Sequence, residues 1–144
     1  MSRNKFFLHI LAADKPFYEG ECVSLVVPTL QGQYGIMAHH SNYISAVVPG
    51  ELDFTVEEDG KEKRIRAAVS EGIVKVEKNE VLVLVDTAES PDEIDESRAR
   101  RAADAAKEDM LRRQSVREYY AAQAKLARAM NRLKVKKHNS ETEL

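Results

Sequence analysis

The side chains best suited to catalysis or metal binding are few in this sequence and widely separated. It has four histidines, His9, His39, His40 and His138, and a single cysteine, Cys22. Zinc sites need three or four closely arranged Cys, His or carboxylate ligands, commonly in short-spaced pairs. The spacing of these residues does not fit such a site, and we expect no bound metal.

Motifs of nucleotide hydrolysis and nucleophilic catalysis are also missing from the sequence. No Gly-x-x-x-x-Gly-Lys-Ser/Thr run is present, and no serine lies in a Gly-x-Ser-x-Gly elbow. His39 and His40 are interpreted as loop residues that make hydrogen bonds or a surface contact. The acidic residues of the first half fall in turns or alternate outward along strands, which is typical of a solvated face. We therefore expect no independent enzymatic activity.

Charge divides the chain into two parts. The net charge of the 144 residues is −2, but residues 1–97 hold 9 Lys/Arg and 18 Asp/Glu, a net −9. Residues 98–137 hold 13 Lys/Arg and 4 acids, a net +9. A basic segment tethered to an acidic body is suited to a separate anionic partner.

Up to about Val85 the apolar residues recur at every second position. Examples are the alternating runs Leu52, Phe54, Val56 and Val81, Val83, Val85. Short β-branched runs separated by turn residues predict an antiparallel β-sandwich or barrel. The Asp59-Gly60 pair is the strongest hairpin signal. Cys22, among valines and a leucine, is predicted to be a buried strand residue.

After Ser90 glycine disappears and strong helix formers dominate. Capping-box patterns at Ser90–Glu93 and Ser115–Glu118 predict helices at roughly 92–112 and 116–134, with a turn near 113–115. Two apolar stripes accompany them: Ile94, Ala99, Ala102, Ala106 and Met110 in the first helix, and Val116, Tyr119, Gln123, Leu126, Met130 and Leu133 in the second. These stripes are narrow and rich in alanine, so we expect a closely packed antiparallel hairpin that can change partners.

The predicted organisation is therefore α+β in two parts: a β-sandwich at 1–87, a helical hairpin at 88–135 and a flexible tail at 136–144. No run approaches the ~20 apolar residues of a membrane span. The N-terminus lacks a basic region followed by an apolar stretch and cleavage site. We expect a cytosolic location, with attachment to a membrane complex through protein contacts left open.

Seven strings in this order carry a family resemblance: Phe17-Tyr18-Glu19-Gly20, Val23-Ser24-Leu25-Val26-Val27-Pro28, Gly32-Gln33-Tyr34-Gly35-Ile36-Met37-Ala38-His39-His40, Ala68-Val69-Ser70-Glu71-Gly72-Ile73-Val74-Lys75-Val76, Asp86-Thr87-Ala88-Glu89, Ile94-Asp95-Glu96-Ser97-Arg98-Ala99 and Arg128-Ala129-Met130-Asn131-Arg132-Leu133. Together, over about residues 5–135, they resemble the epsilon subunits of bacterial F-type ATP synthases. The sequence departs from the family at Met37-Ala38-His39, where relatives have Leu-Pro-Gly, at Glu71, where they have glycine, and at Gln33, where an acidic residue is common.

The resemblance implies a non-catalytic rotor subunit of the central stalk, which couples proton transport to ATP synthesis. The implied partners are the gamma subunit, the c-ring and the catalytic beta and alpha subunits, at the cytoplasmic face of the cell membrane. The contact residues implied for gamma and the c-ring are Gln31, Gln33, Tyr34, His39, His40 and Tyr43.

The resemblance also implies that the hairpin inhibits ATP hydrolysis. The basic residues implied for this are Arg112, Arg113, Arg117, Lys125, Arg128 and Arg132. In some relatives the folded hairpin binds ATP as a regulatory ligand, which implies Glu89, Ile94, Asp95, Arg98, Ala99, Arg128 and Arg132 here. One further arginine of ATP-binding relatives falls at Ala105. From the residues alone, helix capping by Asp95 and pairing of Arg98 within the hairpin are the alternatives.

The main alternative from another class is a nucleic-acid-binding module that uses the basic hairpin. It requires phosphate contacts along one face and aromatic stacking for single strands. Tyr119 and Tyr120 are the only aromatic residues of the predicted helices, and Tyr119 belongs to the apolar stripe.

Overall fold

The computed structural model describes residues 4–112 and 116–143, and the side chains of 4–112 and 117–140. The chain divides into two compact units, 1–89 and 90–144. The boundary was predicted after residue 87 and lies two residues later, after Glu89. The reason is the short strand Ala88–Glu89, which belongs to the first unit.

The first unit is a β-sandwich. Within the described residues its strands are β1 (Phe6–Ala12), β2 (Pro16–Cys22), β3 (Ser24–Thr29), β4 (Gly32–Met37), β5 (Tyr43–Val47), β6 (Gly50–Glu58), β7 (Lys61–Val69), β8 (Gly72–Glu77), β9 (Glu80–Val85) and β10 (Ala88–Glu89). Sheet A has the order β2-β1-β9-β8-β5, and sheet B has the order β10-β7-β6-β3-β4. The predicted sandwich is confirmed, although β1 pairs with β9 in parallel.

Alternate residues of both sheets form the core, as the period of two predicts. The largest fully buried side chains include Phe6, Leu8 and Ile10 of β1 and Leu52 and Phe54 of β6. The predicted Asp59-Gly60 hairpin is confirmed, since both residues have positive φ, 52° and 75°, between the paired β6 and β7. Both φ values suit the type I′ turn that matches strand twist.

Cys22 is confirmed as a buried strand residue, with none of its surface exposed. Its Sγ lies 3.1 Å from the Ser24 carbonyl oxygen and 3.3 Å from that of Thr55. Burial raises the pKa of the thiol to about 11. The thiol is therefore protonated and unreactive at neutral pH.

One buried ion pair is an exception to the solvated acidic face expected for this unit. Glu51 and Arg66 are only 9% and 7% exposed, although both alternate with core residues of sheet B. Arg66 Nε lies 3.1 Å from Glu51 Oε1 and 3.8 Å from Asp53 Oδ2. Opposite charges at this distance offset part of the cost of removing both groups from water.

The second unit contains a 3-10 turn at Pro91–Glu93 and two helices, α1 (Glu96–Arg112) and α2 (Val116–Glu143). The predicted start of the first helix near residue 92 is wrong. Ser90 makes no capping hydrogen bond with its side chain, and Ile94 is extended, with φ −80° and ψ 119°. Asp95 caps α1 instead, because its Oδ1 accepts a hydrogen bond from the Arg98 amide at 3.1 Å.

The second helix continues nine residues beyond its predicted end near 134, through most of the segment predicted to be a flexible tail. The sequence contains neither glycine nor proline after Pro91 to end it. Ser140 Oγ donates to the carbonyl oxygen of Lys136 at 3.1 Å, a contact within one helical turn. The predicted turn at 113–115, with its cap Ser115, lies outside the described residues.

Alanines form the buried faces of the two helices. The buried residues are Ala99, Ala103 and Ala106 in α1, and Ala122, Ala129 and Val135 in α2. The stripe predicted for α2 is partly wrong, since Met130 is 47% exposed and Gln123 is exposed. The lack of Cβ substituents on alanine allows two helix axes to approach closely, which leaves larger side chains at the margins.

Candidate functional sites

An aromatic cluster joins the neighbouring edge strands of the two sheets. Tyr34 belongs to β4 and Tyr43 begins β5, and their rings stack with centroids 4.3 Å apart and planes 10° apart. The His40 ring meets both edge-on, at 5.6 and 5.8 Å. The short connection between these strands, residues 38–42, is here named the histidine loop.

His40 is fixed in this cluster by hydrogen bonds on both ring nitrogens. Nδ1 lies 2.7 Å from the carbonyl oxygen of Ser41, which can only accept, so Nδ1 donates. In the neutral ring Nε2 then accepts from the Tyr34 hydroxyl, 2.8 Å away. The interpretation of His40 as a hydrogen-bonded loop residue is confirmed, and its bonds keep it in the cluster.

The structure brings three of the predicted contact residues together, Tyr34, His40 and Tyr43 of the aromatic cluster, and the other three lie at the two ends of β4. Gln31 lies in the β3–β4 turn, where its amide donates to Thr29 Oγ1 at 3.3 Å, and Gln33 follows at the start of β4. His39 and His40 lie beyond the other end of β4, a strand of six residues and so ~20 Å long. Leu30, in the same turn as Gln31, is 75% exposed and was not identified from the sequence.

Asn79 contacts the histidine loop, which the sequence did not predict. His39 has φ 63°, and its amide donates to Asn79 Oδ1 at 2.7 Å. Asn79 Nδ2 donates to the carbonyl oxygen of Lys5 at 2.9 Å. The sequence marks Lys78-Asn79 as a turn, but it contains no signal for a contact with a loop forty residues away.

The outer surface of sheet A carries exposed apolar side chains from adjacent strands: Phe7 (38% exposed), Ile44 (68%), Ile73 (42%) and Leu84 (39%). Ile73 and Leu84 are directly paired between β8 and β9. Beside them lies an open groove of about 420 Å³ whose lining includes His9, Lys75 and Leu82. A cluster of this kind is typical of a protein-binding surface.

The residues predicted to bind ATP are divided between the two units. Glu89 belongs to β10 of the sandwich, and the other six belong to the hairpin unit. Ile94 and Ala99 are buried, and Asp95 is engaged as the cap of α1. Helix capping by Asp95, the alternative to a role in ATP binding, is therefore confirmed.

The hairpin brings the start of α1 level with the second half of α2. Lys136 Nζ donates to the carbonyl oxygen of Pro91 at 3.1 Å, which fixes the level at which the two segments meet. Arg128 and Arg132 are half-buried and one helical turn apart, whereas Arg98 is exposed.

The predicted inhibitory basic residues differ in exposure. Arg112, Arg117 and Lys125 are exposed, and Arg112 Nη2 lies 3.2 Å from Glu108 Oε2. Arg128 and Arg132 are half-buried, and Arg113 lies outside the described residues.

No helix among the described residues is long and apolar enough to cross a membrane.

Comparison with known proteins gives matches over both units. The β-sandwich domain family of the ATP synthase delta/epsilon chain matches residues 5–91, and the long alpha-helix domain family of the same chain matches residues 92–137. The ATP synthase epsilon chain of Ruminiclostridium cellulolyticum is 38% identical over 128 residues, which cover 89% of this chain and 92% of that one. That of Ruminococcus albus is 37% identical over 131 residues, with 90% and 95% covered.

Two solved structures share the fold at low sequence identity. One is a chain of the Euglena gracilis mitochondrial ATP synthase (OSCP/F1/c-ring), with a TM-score of 0.76, 19% identity and coverage of 88% of this chain and 78% of that one. The other comes from the central stalk and c-ring of the Tetrahymena thermophila mitochondrial ATP synthase, with a TM-score of 0.61, 17% identity and coverage of 90% and 95%.

Proposed function

We propose, from the premise that this chain belongs to the ATP synthase delta/epsilon chain family, that its sandwich docks on the rotor and its hairpin restrains ATP hydrolysis. Its function is that of an ATP synthase epsilon subunit, a non-catalytic part of the stalk. The carrying observation is that two family matches, in order, span residues 5–137 and coincide with the two structural units.

The sandwich supplies the surfaces for the gamma subunit and the c-ring. Exposed apolar side chains such as Ile44 and Ile73 on sheet A suit a permanent contact with a protein partner. The histidine loop and the β3–β4 turn offer two further contacts at opposite ends of β4. As part of this complex the chain is peripheral, at the cytoplasmic face of the cell membrane.

The hairpin is proposed to inhibit hydrolysis by contact with acidic segments of the catalytic subunits. A single exposed ion pair contributes only ~0–1 kcal/mol, so inhibition needs several contacts together. Arg112, Arg117 and Lys125 are exposed and available to such a surface. An inhibitory hairpin must also change partners, which suits helices held together through small alanine contacts.

The test is truncation at Ser90 in a reconstituted ATP synthase. The chain 1–89 retains all the strands that the structure describes, so we expect it to assemble with gamma and the c-ring. We also expect ATP hydrolysis by the complex to rise relative to the full-length chain. Assembly is measured by co-purification and hydrolysis by phosphate release. Unchanged hydrolysis in a fully assembled complex would refute the inhibitory role.

ATP is proposed as a regulatory ligand of the folded hairpin. Arg98, Arg128 and Arg132 are guanidinium donors suited to phosphate oxygens. Arg128 and Arg132 lie one helical turn apart on α2, on the same face of that helix. A ligand at ~100 times its dissociation constant stabilises the state that binds it by ~2.7 kcal/mol. That is enough to reverse a modest conformational equilibrium.

Calorimetric titration of the full chain with ATP tests this ligand. We expect Arg98→Ala to weaken binding about tenfold or more, because it removes a charged hydrogen-bond donor. Arg100→Ala is the matched control, since Arg100 lies on the same helix and pairs with Glu96 at 3.6 Å. Absence of heat with the unaltered chain would refute the nucleotide proposal without affecting the rotor assignment.

A further inference from the structure

We propose that Asn79 is a positioning residue that holds the histidine loop in the conformation in which it meets the rotor. The inference rests on the proposed function for the identity of the partner. The conformational part stands on the structure of the sandwich alone.

The backbone conformation of His39 is a strained one for a residue other than glycine. Its φ of 63° is in the left-handed region, which is strained for a residue with a Cβ and which glycine adopts freely. A loop with histidine here needs a compensating contact from elsewhere in the fold.

Asn79 supplies that contact with both ends of its amide. Oδ1 accepts from the His39 amide at 2.7 Å, and Nδ2 donates to the carbonyl oxygen of Lys5 at 2.9 Å. This amide orientation is the one that satisfies both partners, since one is a donor and the other an acceptor. The backbone carbonyl oxygen of Asn79 also accepts from the Phe7 amide at 3.2 Å. Asn79 thus connects the loop, the β8–β9 turn and the beginning of β1.

The position of His40 depends on the same contact. His40 follows the left-handed residue directly and is bonded to Tyr34 and Ser41. If His39 took another backbone conformation, the direction of the chain at His40 would change. The His40 ring would then separate from Tyr34 and Tyr43. The exposed surface that the loop presents therefore depends on a side chain outside the loop.

Hydrogen exchange of the His39 amide in the isolated full-length chain tests the conformational part. Asn79→Gly removes the amide but keeps a residue that accepts the native φ of 60°. We expect the His39 amide to exchange about tenfold faster in this variant, because it loses its acceptor. Lys78→Gly is the matched control, since it alters the same turn at φ 51° and leaves Asn79 in place. Equal exchange in Asn79→Gly and the unaltered chain would overturn the proposal.

The affinity of the chain for a gamma–c-ring subcomplex tests the positioning part. It is measured for Asn79→Gly alone and for Asn79→Gly combined with His39→Gly. We expect Asn79→Gly to weaken binding about tenfold when residue 39 is histidine. When residue 39 is glycine, we expect the same substitution to weaken binding about twofold or less. A glycine at 39 no longer needs the compensating contact. An equal loss in both backgrounds, or no loss in either, would overturn the positioning role. Failure of the unaltered chain to bind would instead refute the proposed function and leave the exchange result standing.

Discussion

At the scale of single residues, Gly72 occupies a position where β8 approaches β9 too closely for a side chain. A Cβ built there would lie 1.9 Å from the carbonyl oxygen of Leu84 and 2.7 Å from the Cα of Val85. Both are backbone atoms, so no side-chain rotation can relieve the contact. The requirement for glycine at this position is therefore steric.

We expect Gly72→Ala to destabilise the sandwich by about 3 kcal/mol or more, as overpacking against backbone does. The measurement is urea denaturation of the full chain. Gly35→Ala is the matched control, because a Cβ at that strand glycine meets nothing within 4 Å. Equal stability of the two variants would contradict the steric argument.

The role of a single residue could be predicted from the sequence when it depends on neighbours in the same strand. Cys22 was correctly predicted to be buried, because its apolar neighbours on the same strand are visible in the sequence. The roles of Asn79 and Gly72 were not predicted, since both depend on atoms of another strand or loop. Gly72 was visible only as part of a family motif, with no reason for its presence.

At the scale of elements, the start of α1 shows how two local signals compete. Ser90-Pro91 and Asp95 both precede helix-forming residues, and the earlier one has the fuller capping-box pattern. The chain uses the earlier signal for one 3-10 turn only, and the extended Ile94 then restarts the helix at Glu96. Ile94 is buried, which the propensity of its neighbours does not reveal.

We expect Asp95→Ala to lower the stability of the hairpin by about 1 kcal/mol, the usual cost of losing an N-cap side chain. Ser90→Ala should have almost no effect, because the Ser90 side chain makes no capping bond. Thermal unfolding of the full chain, followed by the helical circular dichroism signal, compares the two. A larger effect at Ser90 than at Asp95 would mean that the earlier cap is the one used.

Strand alternation was a better guide than helix periodicity. A period of two assigned the core faces of β6 and β9 correctly, since a residue one position off would change faces. In α1 the predicted stripe was right at Ala99 and Ala106 and wrong at Ala102, which is exposed. In α2 larger residues were predicted, but the alanines Ala122 and Ala129 are buried instead. Helix contacts made by small side chains leave a weak hydrophobic pattern, so their register cannot be derived from apolar size.

At the scale of the whole molecule, the division into two units was visible as a change of period and composition. The charge division is less sharp in the structure than in the sequence. Four acids, Asp92, Glu93, Asp95 and Glu96, lie in the second unit, before the basic segment that begins at Arg98. Acids at a helix N-terminus are favourable there, which accounts for their position without a partner.

The pairing of β1 with β9 has a consequence for how the chain acquires its fold. Phe7 lies opposite Glu80, and β1 occupies an inner position of sheet A, between β2 and β9. As the protein leaves the ribosome, its first strand can pair with β2 at once but must wait until β9 emerges to complete its other side. Such distant pairing slows folding. The nascent sandwich therefore keeps one edge of β1 unpaired until β9 has been synthesised, and an unpaired strand edge is prone to aggregation.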